Sequence, residues 1–461
     1  MTALPTARQV RGRLREARRA RRTASLGDML TDAYIFALFI GMYGWALIHE
    51  SRDYLNAPAT ADSDPAERYW IAVAAVLAVA GFAWHALRTV GPIVVSPAAQ
   101  TWLISTPVDR RAFLLPRFTA LGTCLAVGVG ALASAAALAG RAGGSGVAWA
   151  ALAGAACGVG GAALSVVAQA TRRRRTWPRL PGIGLAAGGA AVAVATVVAH
   201  FAGAGLVRPT GSLTIALALV GPPLALVGCV VAVRALGRVD RASLSGGAQL
   251  TSAAVAAAAL LDPTMLTGLV ESRRWRRVGR VRSRRFLRGG RAWALLQAEV
   301  RRLYRNPVAP LTWAGLILLE YAVAVAVPSI AAPARVIGAY LAVSRLTGGL
   351  RTLTRSPGLR RSLGGSDAAV RAVHLVVPAI GAALWWLATA PVGRDLPGWM
   401  TYVMIAGVVV AAHRTATRPP LDYGGAFAET PFGIIPVDLL RRIFRGPDLV
   451  AVLVVAQLLV P

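Results

Sequence analysis

Ionisable side chains inside long apolar runs are the first places to look for chemistry, because each costs roughly 2.5 to 3.5 kcal/mol to insert into a bilayer unless something pairs with it. Two stand out in this 461-residue chain, Glu320 and Arg345. With apolar runs over residues 308–328 and 334–352, Glu320 falls eight residues before the end of one and Arg345 about eleven after the start of the next. At 1.5 Å per residue their depths differ by roughly 5 Å, within reach of two long side chains. A Glu320–Arg345 ion pair across a helical hairpin is expected, as a stabilising contact ahead of a substrate site.

Other reactive residue types form no constellation. His49, His85, His200, His374 and His413 are scattered, with no HExxH and no pair at i, i+4, so no metal centre is expected. Cys124, Cys157 and Cys229 sit singly in apolar blocks and read as buried small side chains. Gly128-Val-Gly130 lies inside a span and follows no strand, so it is no dinucleotide fingerprint. Lysine is absent, all 50 basic residues being arginine, which excludes a Walker A loop and with it a P-loop ATPase in this chain alone. No Ser/His/Asp set falls at a common depth. Neither an enzyme nor a cofactor is expected.

A second candidate is polar. LISTPVDRRAFLLPRF, residues 103–118, sets an acid and two arginines between apolar runs. Thr106, Pro107 and Asp109 have the parts of a helix start: a capping hydroxyl, proline at the first position and an acid at the third. Arg110 and Arg111 then occupy the first turn, where the helix dipole disfavours cations. They serve either as topology signals or as a docking surface for an acidic or cleft-bearing partner. Topology alone does not explain the roughly twenty-residue connection from Gly91 to Arg110.

The elements that must position these residues are membrane helices. The chain is 56% hydrophobic and 15% charged, in blocks that match a hydrocarbon core of roughly 30 Å. Spans are expected near 29–48, 69–90, 113–138, 147–169, 182–205, 212–236, 308–328, 334–352, 371–392 and 398–413, with a short block at 447–460. The fold class is thus an all-α polytopic membrane protein of ten to twelve transmembrane helices, eleven being the best count. With the N-terminus cytoplasmic, 44 of the 50 arginines fall on inner segments. The net charge of +30 therefore needs no nucleic acid and instead favours anionic lipids at the inner face. Even the ten arginines of residues 271–291 lack the aromatic spacing that base stacking requires.

Four regions follow: a basic cytoplasmic segment at 1–28, too long and basic for a cleaved signal peptide; a first membrane half at 29–236; an arginine-rich cytoplasmic linker at 237–307; and a second membrane half at 308–461. The linker contains an amphipathic helix with Leu295, Leu296, Val300 and Leu303 on one face, suited to the inner membrane surface. The halves form a loose repeat, residues 91–109 and 349–367 holding equivalent places, and Arg360, Arg361, Ser366 and Asp367 are looser counterparts of the first docking stretch. Gly154/Gly158 and Gly184/Gly188 have the spacing of close helix contacts.

Leu103, Ser105, Thr106, Pro107, Val108, Asp109 and Arg110 together resemble the connection between the second and third spans of ABC-2 type permeases, the membrane subunits of bacterial ABC transporters. ETPFGIIPVDLLRR, residues 429–442, is similar to the closing part of an uncharacterised bacterial family of such permeases. The resemblance implies a multi-pass subunit of the bacterial inner membrane, an exporter by analogy. It further implies a separate ABC ATPase dimer docking on Thr106, Pro107, Asp109, Arg110 and Arg111 and on Arg360, Arg361, Ser366 and Asp367. The second stretch departs from the pattern: proline is absent and its arginines are displaced. A secondary transporter and a non-transporting membrane scaffold or enzyme are the alternatives.

Overall fold

The computed structural model describes residues 64–95, 109–171, 179–207, 211–240, 285–393, 396–419 and 441–459. It also describes the backbone at 427–430 and 433–440 and isolated positions elsewhere. The chain divides into two compact units, one formed by residues 1–259 and 263–270, the other by 260–262 and 271–461. The first expected span, 29–48, lies outside the described residues apart from isolated positions.

In the first unit five long helices follow one another: α1 (Pro65–Val90), α2 (Arg110–Ala139), α3 (Gly144–Ala170), α4 (Leu180–Phe201) and α5 (Gly211–Leu236). Asp64 caps α1 through the Ala66 N–H, and Pro65 opens it. The helices are alanine- and glycine-rich, so backbones approach where large side chains would hold them apart. α2 packs on α3, α3 on α5, and α1 on α4. A Cβ on Gly154 would lie 2.7 Å from the Val129 carbonyl, and one on Gly158 would overlap the Leu125 carbonyl, as their spacing anticipates. On α4 the contact is different. Gly184 and Gly188 face open space, whereas Gly182 abuts Trp84 and Gly189 abuts the Ala74 carbonyl. The seven-residue interval of Gly182 and Gly189 keeps them on one stripe over two turns.

In the second unit α6 (Arg291–Arg305) leads into the hairpin of α7 (Val308–Ala326) and α8 (Ala331–Leu346), joined by a 3₁₀ turn at Pro328–Ile330. Two short helices follow, α9 (Gly348–Arg355) and α10 (Pro357–Leu363), then α11 (Asp367–Ala388) and α12 (Gly398–Ala416). An antiparallel hairpin of β1 (Phe427–Thr430) and β2 (Gly433–Pro436), with Phe427 opposite Pro436, precedes α13 (Val437–Phe444) and α14 (Pro447–Leu459). α8 is central. Its Val336, Ala339, Ala342 and Val343 are sealed by Ala382, Trp385 and Trp386 of α11, Met404 and Val408 of α12, and Leu453 of α14.

Among the described residues seven helices, α1 to α5, α7 and α11, are long and apolar enough to cross a membrane. They also expose large apolar side chains in numbers no water-soluble surface would carry; α5 alone presents Leu217, Leu219, Val220, Leu224, Leu226 and Val227. The molecule is a multi-pass helical membrane protein. The run expected at 334–352 is not one span: α8 stops after 16 residues at Leu346, and the chain turns into α9. The break falls at Thr347-Gly348-Gly349, where side chains from α6 leave no room for a Cβ on either glycine. α14, with 13 residues, is shorter than the roughly 17 needed to span. Cys124 and Cys157 are exposed and Cys229 is half-buried, not buried as expected, because the close contacts between these helices are taken by glycine and alanine.

Candidate functional site

A buried polar junction lies where α6 meets α8, α9 and α11. The sequence places Leu295, Leu296, Val300 and Leu303 on one face of α6, suited to the membrane surface; in the structure Val300 is exposed, and the buried residues are Gln297 and Glu299. Gln297 is satisfied by both backbone groups of Leu287, accepting from its N–H at 2.8 Å and donating to its carbonyl at 3.2 Å. Glu299, 3% exposed, is held from two sides. Arg302, one turn on, donates from Nε and Nη2 to Glu299 Oε2 at 3.0 and 2.6 Å, and from Nη2 to the Leu346 carbonyl at 2.9 Å. His374 of α11 brings Nε2 to 3.2 Å from Glu299 Oε1.

His374 Nδ1 faces the Val370 carbonyl at 2.8 Å, so both ring nitrogens face acceptors. Both hydrogen bonds form only with a proton on each nitrogen or on the Glu299 carboxyl. The arrangement ties α6 through side chains to the start of one span and the end of another helix. It can transmit force; it offers no nucleophile. Arg302 meets the C-terminal carbonyl of α8, where the helix dipole favours a cation. A Cβ on Gly348 would overlap Arg302, and one on Gly349 would overlap Glu299, so a side chain at the α8–α9 corner would displace the two charged groups of the junction.

Beyond that corner, the docking residues expected in this unit share one edge. α10 has no buried residue. Arg361 is exposed, and Arg360 reaches Asp367 at 3.3 Å, as Arg371 does at 3.7 Å. Ser366 caps α11, accepting from the Ala369 N–H at 3.3 Å. In the first unit Thr106 and Pro107 lie outside the described residues. The cap of α2 is Asp109, not Thr106: its Oδ1 accepts from the Arg111 N–H at 2.9 Å. A carboxylate is the stronger partner for the positive end of the helix. Arg110 and Arg111 are exposed in its first turn. Before them, Gln169 of α3 grips both backbone groups of Ile93, at 3.2 and 3.1 Å, just after Gly91 turns the chain at φ +93°.

The intramembrane ion pair is corrected. Glu320 is buried and Arg345 is exposed. α8 begins at Ala331 directly after the turn, which puts Arg345 fourteen residues into it while Glu320 is six from the end of α7. That is a depth difference of roughly 12 Å at 1.5 Å per residue. Arg335, four residues into α8, stands level with Glu320 and is the guanidinium whose charge acts on it. Arg335 donates to Thr389 Oγ1 at 2.9 Å and to the Trp386 carbonyl at 3.1 Å, with its guanidinium 5.3 Å from the centre of the Trp386 ring. Glu320 Oε1 is buried without a hydrogen-bond partner.

These features define a polytopic helical protein whose amphipathic helix is bolted to its spans by buried charges. Over residues 61–426 the chain matches a family of unknown function (DUF6297), and it belongs to that family. No curated protein matches it, and no solved structure does.

Proposed function

We propose that the chain is the permease subunit of an ABC-type transporter, driven by a separate ATPase that docks at the arginine-rich end of its helices. In the ABC-2 type permeases that LISTPVDRRAFLLPRF resembles, inner-face helices fit a cleft on the ATPase and carry its closure to the spans. The observation that carries the reading is the Glu299 junction: α6 is joined to α11 through His374 and to the end of α8 through Arg302, with α9 and α10 continuing from that corner. A push on α6 or α10 is delivered to α8 and α11 together. On this reading the arginine-rich end is cytoplasmic, the membrane is the bacterial cell membrane, and the two units are halves of a loose repeat, each presenting one docking stretch. Transport is export by family analogy.

The test is an affinity pull-down in mild detergent from the native host, with mass spectrometry for a co-purifying ABC ATPase, beside an Arg110→Glu/Arg111→Glu variant that inserts normally. Recovery with the wild type and loss with the variant supports the proposal. Absence of an ATPase from both, under conditions that hold known permease complexes together, removes it. The buried Glu320 beside Arg335 favours one other reading, a secondary transporter coupled to an ion gradient. That reading requires uptake or efflux in vesicles to follow an imposed proton or sodium gradient without ATP.

A further inference from the structure

At the arginine-rich end of the second unit, α12, α13 and α14 border an open cleft of about 450 Å³ lined by Arg414, Arg441, Phe444, Arg445 and Asp448. Its size falls in the range of small-molecule sites, about 300 to 1,000 Å³. Three guanidiniums face one carboxylate, and that carboxylate is already engaged. Asp448 Oδ1 accepts from the Gly446 and Leu449 N–H groups, both at 2.8 Å, and Oδ2 takes Arg414 at 2.6 Å.

The wall of the cleft is built and braced. Arg418 donates to the Arg445 carbonyl from Nε at 2.9 Å and from Nη2 at 2.7 Å, and to the Ile443 carbonyl at 3.2 Å. Thr415 adds a bond to the Arg445 carbonyl at 3.3 Å, and Tyr340 holds Thr415 at 2.8 Å. Gly446, at φ +114°, lets the chain turn between α13 and α14 where a Cβ would overlap Thr415. Burial lowers the Arg418 guanidinium from its ordinary value; the Tyr340 hydroxyl opposes this, while Arg442 and Arg445 add to it. Arg414, Arg441 and Arg445 bring three guanidiniums to one cleft.

We propose that this cleft binds a phosphate anion, carried on the headgroup of an anionic lipid. Guanidiniums in a fixed array match phosphate oxygens, and basic pockets beside membrane helices take anionic headgroups. Phe444, 59% exposed on the rim, supplies an aromatic ring of the kind that settles between headgroup and acyl chain. Arg441 and Arg445 lie outside the docking stretches, and lipid retention is read without the ATPase.

The experiment uses the full chain, delipidated in mild detergent, with native mass spectrometry of bound phosphatidylglycerol against phosphatidylcholine. Inorganic phosphate and glycerol phosphate are run as soluble competitors. At about fivefold per arginine near a charged headgroup, Arg441→Gln/Arg445→Gln is expected to cut phosphatidylglycerol retention at least tenfold, with Arg441→Lys/Arg445→Lys retaining most of it. Binding of a soluble phosphate with the same dependence on the two arginines keeps the phosphate site and changes its source. Equal retention of the two lipids by the wild type, or no loss in the glutamine variant, overturns the proposal. If that variant aggregates, a photoreactive phosphatidylglycerol decides on the wild type: crosslinks within residues 441–448 support the site, and crosslinks confined elsewhere overturn it.

Discussion

His374 Nε2 and Glu299 Oε1 lie 3.2 Å apart across the contact of α6 with α11, both side chains buried. Removing one partner of a buried charge network strands the others, at about 3 to 5 kcal/mol. Glu299→Ala is therefore expected to release α6. Tryptic cleavage after Arg301, Arg302 and Arg305 in detergent reports this directly and should accelerate by more than a hundredfold. An unchanged rate would show that α6 is held by something other than Glu299.

The two arginines of α8 should behave in opposite ways. Arg335→Ala removes two hydrogen bonds and the contact with the Trp386 ring from a buried site, and should lower the midpoint of thermal unfolding by several degrees. Arg345→Ala, at an exposed position, should leave it nearly unchanged. Melting curves of the two purified variants settle the order, and a larger loss for Arg345 would contradict the level placement of Glu320 and Arg335.

Glycine positions separate by the same measurement. Gly158→Ala drives a methyl into the Leu125 carbonyl and is expected to cost about 1 to 3 kcal/mol by overpacking. Gly184→Ala enters open space and should be neutral or slightly stabilising, since alanine is the better helix former.

Asp448 gives a pH signature. Burial alone would raise its carboxyl, but the Gly446 and Leu449 N–H groups and the Arg414 guanidinium hold it below the ordinary value. A carboxyl lowered in the folded state stabilises fully above its unfolded pKa, about 3.9, and loses that contribution as pH falls through the lower folded value. The stability difference between wild type and Asp448→Asn should thus be constant from neutral pH to about 5 and shrink below about 4. A difference independent of pH down to 3 would remove the carboxylate from this account.

Hydrophobic blocks made most helices legible: α1 to α5, α7 and α11 fall within a few residues of the apolar runs that announce them. What the sequence could not supply was rotation and depth. Glu299 sits in an amphipathic pattern whose leucines point to one face, and only packing shows that the helix buries its acidic edge. The depth of Arg345 depended on where the hairpin turns, and three residues in that boundary moved it about 4.5 Å. A local signal for Glu299 was available in its spacing to Arg302, an i, i+3 pair inside an arginine-rich stretch. His374, 75 positions away, carried none.

The packing surfaces of the two units differ in kind. In the first, α1 meets α4 with Trp84 seated against Gly182, while α2 meets α3 along glycine and alanine. Such faces resist separation but offer little friction to sliding along their length. In the second, Trp385, Trp386, Arg335 and the Glu299 junction act as pins that would have to be pulled before any helix could shift. The α2–α3 contact is accordingly the more compliant and the α8–α11 contact the stiffer, so changes in bilayer thickness should be absorbed by shear between α2 and α3.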